Sequence, residues 1–110
     1  MFNPNATKPG LSNRLWEVEG PAAAVANGYF VLQPNRVGLE DNEFGAEAVN
    51  FYGTSNVIDP RGDFVGERGS GDHEELLVRD LDMDMVQQMR DDWQFYRDRR
   101  PDTYGDIVAP

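Results

Sequence analysis

The chain has 110 residues, with twenty acidic and ten basic side chains, a net charge of −10, one histidine and no cysteine. Hydrophobic residues make up 39% of it, including two Trp, four Tyr and six Phe, which suffices for one small core and argues against a wholly disordered chain. The acidity disfavours nucleic acid and anionic membrane as partners, and the lack of thiols excludes disulfides, thiolate metal centres and a cysteine nucleophile within these residues.

Residues 1–12 are rich in Asn, Pro, Gly and Ser and read as a strand end followed by a loop. Ser12 or Asn13 is placed to cap a helix whose apolar positions are Leu15, Trp16, Val18, Ala22, Ala23, Val25 and Ala26. Gly20-Pro21 predicts a kink or restart, and Asn27-Gly28 a stop. Tyr29 to Val37 reads as a buried strand, with Pro34 marking an edge or bulge. Gly38 to Asn50 reads as an acidic loop and Phe51 to Asp59 as a second strand. Pro60-Arg61-Gly62-Asp63 has turn chemistry, so Phe64 to Arg68 is the expected return of a hairpin. Glu75 to Leu81 alternates like a strand. Asp82 or Asp84 then caps a helix to about Tyr96, with Met85, Val86, Met89, Trp93 and Tyr96 on one face. Arg97, Arg99 and Arg100 suit the negative end of that helix, and Pro101 blocks its continuation. This order is α/β or α+β, and helices on one sheet face only would leave the other face apolar.

Few motifs carry chemistry. Gly-x-Ser-x-Gly, the phosphate loop and Gly-x-Gly-x-x-Gly are absent. The single histidine, His73, sits among carboxylates and cannot build a multi-histidine metal site. Asp80, Asp82 and Asp84 open like a calcium loop, but Met85 and Asp91 stand where that loop needs Gly and Glu. No metal and no cofactor is expected. Lys8, the sole lysine, lies beside Pro9-Gly10 and reads as an exposed loop residue. Met1 to Gly10 has no signal-peptide pattern, and Pro21 to Ala26 is too short to span a bilayer, so a cytoplasmic location is expected.

Several segments taken in order resemble the nitrilase superfamily of carbon–nitrogen hydrolases, on the β-ureidopropionase and N-carbamoyl amidohydrolase branch. They are Asn3-Pro4-Asn5-Ala6-Thr7, Leu11 to Trp16, Ala22 to Asn27, Asn35-Arg36-Val37-Gly38, Asn42-Glu43-Phe44, Phe51-Tyr52-Gly53-Thr54-Ser55 and Asp59-Pro60-Arg61-Gly62. Asp80-Leu81-Asp82 and Trp93 to Pro101 complete the set. The resemblance implies an αββα sandwich, with residues 1–110 its C-terminal part. It implies cofactor-free hydrolysis of a carbamoyl or amide C–N bond by a Glu base, an oxyanion-stabilising Lys and a Cys nucleophile. Those three residues are expected upstream, and Lys8 does not correspond to the family's lysine.

The resemblance also implies that the Asn5–Thr7 loop borders the substrate pocket, with Thr7 and Asn5 as candidate contacts. Asn35, Tyr52 and Ser55 read as strand structure. Trp93, Phe95, Arg97, Arg99 and Arg100 correspond to segments that pack across a subunit interface, implying a homo-oligomer. The implied partner is a small-molecule substrate in the full enzyme, with no nucleic acid and no membrane. Two rival readings stand beside this one. The first is a non-catalytic module that self-associates or complements a separate half. The second is an unrelated α+β domain that binds a basic partner.

Overall fold

The computed structural model describes residues 1–41 and 47–109. The Asn42-Glu43-Phe44 segment lies outside the described residues, as does much of the expected acidic loop.

Helix α1 spans Leu11–Asn27. Its N-cap is Gly10, and Asn13 closes the first turn from inside: its Oδ1 accepts from the Gly10 N–H at 2.8 Å. Ser12 instead donates its hydroxyl to the Lys8 carbonyl. The helix runs through Pro21 without the expected restart. Proline clashes with the Cβ of the residue before it in a helix, and Gly20 has none. The same glycine lets the helix sit on the sheet: a Cβ there would lie 2.3 Å from Gln33 Oε1 and 2.5 Å from Ile58 Cδ1. Gly28 ends the helix in the left-handed conformation, φ 57°, as its sequence position predicts.

The strands are shorter than expected and differently placed. They are β1 (Val31–Gln33), β2 (Val37–Glu40), β3 (Val49–Tyr52) and β4 (Asn56–Ile58). β1 pairs antiparallel with β4, Val31 opposite Ile58 and Gln33 opposite Asn56. β2 pairs antiparallel with β3, Val37 opposite Tyr52 and Glu40 opposite Val49. Pro34, which offers no N–H, lies in the gap between β1 and β2. The segment expected to be one strand from Phe51 breaks at Gly53 and Thr54, both at positive φ. The N-terminal residues lie along β1 through parallel bridges Phe2–Leu32 and Asn5–Asn35.

The turn after β4 forms as expected: Gly62 N–H donates to Asp59 O at 3.0 Å, and Asp59 Oδ1 accepts from the Arg61 and Asp63 N–H groups. Its returning strand is reduced to an Ile58–Phe64 bridge and a Val65 N–H bond to Val57 O. Glu75 to Leu81 is not a strand. Alternation marks out two faces but supplies no neighbour to bond. Helix α2 spans Asp84–Asp92, after an Asp82 carboxylate that accepts from the Asp84 N–H at 3.1 Å. It stops short of Tyr96, at an extended Trp93. Asp91 and Asp92 stand at its negative end, where carboxylates weaken a helix. A 3-10 turn at Pro101–Thr103 and the short helix α3, Gly105–Val108, follow.

The core lies between α1 and the β1–β4 pair. Ala24, Val31 and Ile58 are fully buried, and Trp16 caps the layer with its Nε1–H donating to Thr54 O at 3.1 Å. Among the described residues, the opposite sheet face is uncovered. Phe2, Leu32, Pro34, Val57, Leu76 and Leu77 line an open apolar trough of about 280 Å³ there. The molecule measures 52 × 42 × 18 Å, about one helix layer plus one sheet layer thick. Its radius of gyration is 17.6 Å, against about 13 Å for a compact domain of this length. It exposes 7934 Å², against about 6,100 Å² for a compact monomer of this mass.

Candidate functional site

Asn35 joins three segments at the point where β1 gives way to β2. Its side-chain Oδ1 accepts from the Thr7 N–H at 3.0 Å, and its Nδ2 donates to Gly53 O at 2.8 Å. Its own N–H donates to Ser55 Oγ at 2.8 Å, and that hydroxyl donates to Asn35 O at 3.3 Å. Asn5 flanks the junction through the backbone: its N–H donates to Pro34 O at 2.9 Å and its carbonyl accepts from Arg36 N–H at 3.0 Å. Asn5 Nδ2 donates to Asn3 O. Thr7 Oγ1 is shielded from solvent with no hydrogen-bond partner among the described residues. The two candidate contacts are therefore held together on one loop, with Asn35 as its anchor. The sequence reading gave Asn35 and Ser55 only a strand role, because side-chain to backbone bonds have no periodicity to betray them.

Beyond this junction lies an open polar cleft of about 420 Å³, lined by Asn35, Gly53, Ser55, Ser70, His73 and Glu74 among others. Ser70 Oγ, Asp72 Oδ1 and His73 Nδ1 cluster on its rim, with His73 2.9 Å from the hydroxyl and 2.6 Å from the carboxylate. This is not a nucleophilic triad. A triad places serine and aspartate on opposite ring nitrogens, whereas here both meet Nδ1. The Ser70 hydroxyl, and after it His73, hold the exposed Asp72 carboxyl below its ordinary range. Among the described residues, no group of three or more His, Asp or Glu is placed to hold a metal ion.

The closing segment forms a separate surface. Trp93 and Phe95 stack with centroids 5.8 Å apart, and both are about half exposed. Tyr96 tethers them to α1 by donating to Asn27 Oδ1 at 2.6 Å. Arg97 pairs with Asp98, and Arg100 pairs through two nitrogens with Asp102, which holds the Asp102 carboxyl below and the Arg100 guanidinium above its ordinary range. Arg99 lines a shallow cavity with Phe95 and Tyr96. The five residues expected at an interface thus share one exposed region, well apart in sequence from the Asn5–Thr7 loop.

Residues 3–91 match the carbon-nitrogen hydrolase family, and the chain belongs to it. Its mixed helix-and-strand fold is that of the nitrilase superfamily, an αββα architecture. It is 34% identical to a beta-ureidopropionase of Arabidopsis thaliana, across 99% of this chain and 29% of that protein. It is 38% identical to an N-carbamoylputrescine amidase of the same plant, across 91% of this chain and 34% of that one. The crystal structure of a carbon-nitrogen hydrolase from Helicobacter pylori G27 superposes with a TM-score of 0.80 at 34% identity, over 89% of this chain and 33% of its own. The chain spans about a third of the length of the relatives it matches.

Proposed function

We propose that these residues supply the C-terminal third of an enzyme that hydrolyses a non-peptide C–N bond of an N-carbamoyl amino acid, ureido acid or amide. The reaction runs through a Cys-linked intermediate, with Glu as base and Lys as oxyanion stabiliser. None of these three comes from the present residues; with no cysteine among them, they are inactive alone. Their part is one sheet, its covering helix, the Asn5–Thr7 wall of the pocket and, through Trp93, Phe95, Arg97, Arg99 and Arg100, part of a homo-oligomer interface. The cytoplasmic location expected of such an enzyme belongs to the same proposal.

The observation that carries this reading is the uncovered sheet face. In an αββα sandwich that face meets a second sheet, and here it presents Leu76 at 87% and Phe2 at 68% exposure beside half-buried Leu32 and Val57. The test is complementation. Ammonia release from N-carbamoyl-β-alanine and N-carbamoylputrescine is measured for this chain alone and after co-expression with the catalytic two-thirds of a relative. Turnover only in the complemented sample is expected. Turnover by the chain alone, or none in any combination that forms a complex, sinks the proposal.

The same face favours a second reading, a non-catalytic module that associates with itself or with a separate half. A stable homodimer of the isolated chain that refuses the catalytic two-thirds favours that alternative.

A further inference from the structure

We propose that Asn35 is a positioning residue that sets the Asn5–Thr7 wall of the substrate pocket against the Gly53–Ser55 wall. This rests on the functional reading above for what the pocket binds, but its geometry stands apart from it. A single carboxamide here does two opposite tasks. Its oxygen takes the Thr7 N–H and its nitrogen gives to Gly53 O, at 3.0 and 2.8 Å. The bonding fixes which end is which, and no other side chain of this size both accepts and donates across the same span: Asp keeps only the acceptor and Leu keeps neither.

The amide cannot slide, because its backbone is gripped by Ser55 Oγ and its neighbours Pro34 and Arg36 are bonded to Asn5. Gly53 is fixed in turn. It sits at φ 57°, its N–H donates to Arg36 O, and a Cβ would meet Ser70 O at 2.3 Å. A rigid strand end thus locates the Thr7 amide through Asn35. The shielded, unpartnered Thr7 Oγ1 moves with that amide. Loss of the carboxamide frees the loop and blurs the geometry in which a substrate's polar end is met, a binding effect more than a chemical one.

Two measurements test this. The first is amide hydrogen exchange in this chain, comparing wild type with Asn35→Ala and Asn35→Asp. Exchange at Thr7 is expected to rise about tenfold or more in N35A, as for loss of one protecting bond. In N35D, which keeps the acceptor for Thr7 but sets a carboxylate oxygen in place of the donor to Gly53 O, it rises less than in N35A, and amides of Val31 and Ile58 are unchanged in both. Unaltered Thr7 exchange in N35A overturns the clamp. The second is steady-state kinetics of the complemented enzyme with N-carbamoyl-β-alanine and N-carbamoylputrescine. KM is expected to rise about fivefold in N35A with kcat within about twofold, and N35D, which lacks the donor to Gly53 O, to raise KM as well rather than restore it. A fall in kcat at constant KM overturns the positioning role even if exchange rises. Failure of the wild-type complex to turn over strikes the functional reading instead, and leaves the exchange result to decide the clamp.

Discussion

The two faces of the β1–β4 sheet are built by opposite rules. On the α1 side, Ala24, Val31 and Ile58 have no exposed surface, and a glycine brings helix and sheet to contact. On the other side, large apolar residues stand open, Leu76 and Phe2 at 87% and 68%. The first face is a finished interior. The second has the composition of an interior and the exposure of a surface. Alternation along a strand assigns side chains to faces, but only a neighbouring layer turns a face into a core.

The sharpest way to break this comparison is truncation on each side. Ile58→Ala removes fully buried carbon and is expected to cost about 3 kcal/mol, within the usual range for such changes. Leu76→Ala is expected to cost less than about 0.5 kcal/mol in the isolated chain, and several times that in a complemented enzyme that covers it. Urea denaturation of both variants, alone and complexed, reads the difference. Equal costs in the isolated chain would show that the second face is already covered.

Gly20→Ala sharpens the same point through two opposed effects. Alanine favours an isolated helix over glycine by about 1 kcal/mol. Here its methyl would meet Gln33 Oε1 and Ile58 Cδ1 inside contact distance, an overpacking cost of about 1–3 kcal/mol. Net destabilisation in thermal melts is expected. A stabilised variant would mean that α1 does not sit this close to the sheet. A smaller effect is expected for Trp16→Phe, which keeps a ring in the layer and loses the bond to Thr54 O, about 1 kcal/mol.

The sequence made the helix-covered side legible and the rest only partly so. The Asn27-Gly28 stop and the Asp59–Asp63 turn are local chemistry, and both stand where their residues put them. Pro21 misled because part of its effect depends on the neighbour: Gly20 has no Cβ for the proline ring to meet, though the helix still forgoes the proline's missing N–H. Val37 to Glu40 straddles the expected strand and the expected acidic loop, and its partner Val49–Tyr52 falls partly in that loop, since strands of four residues are too short for alternation to show. Glu75 to Leu81 shows the converse, alternation with no ladder. The family was readable from the order of its short segments. Asn35 as the link between the Asn5–Thr7 loop and Gly53 was not, because its bonds join residues 28 and 18 positions away.

The smallest expected effect separates the cleft rim from both sheet faces. Asp72 lies on that rim, fully in solvent, with its carboxyl held below the ordinary value first by the Ser70 hydroxyl and then by His73. A carboxyl whose folded pKa is depressed contributes stability that is present above its unfolded value, about 3.9, and that is lost as pH falls through the lower folded value. Asp72→Asn is therefore expected to melt slightly below wild type at pH 7. The gap stays constant down to about pH 5 and closes below pH 4. Solvent screening keeps the difference small, so the direct measurement is an NMR titration of the Asp72 carboxyl. A Ser70→Ala background should move its midpoint upward, because that hydroxyl is the larger of the two causes. A midpoint unmoved by Ser70→Ala would show that the rim is not organised by this cluster.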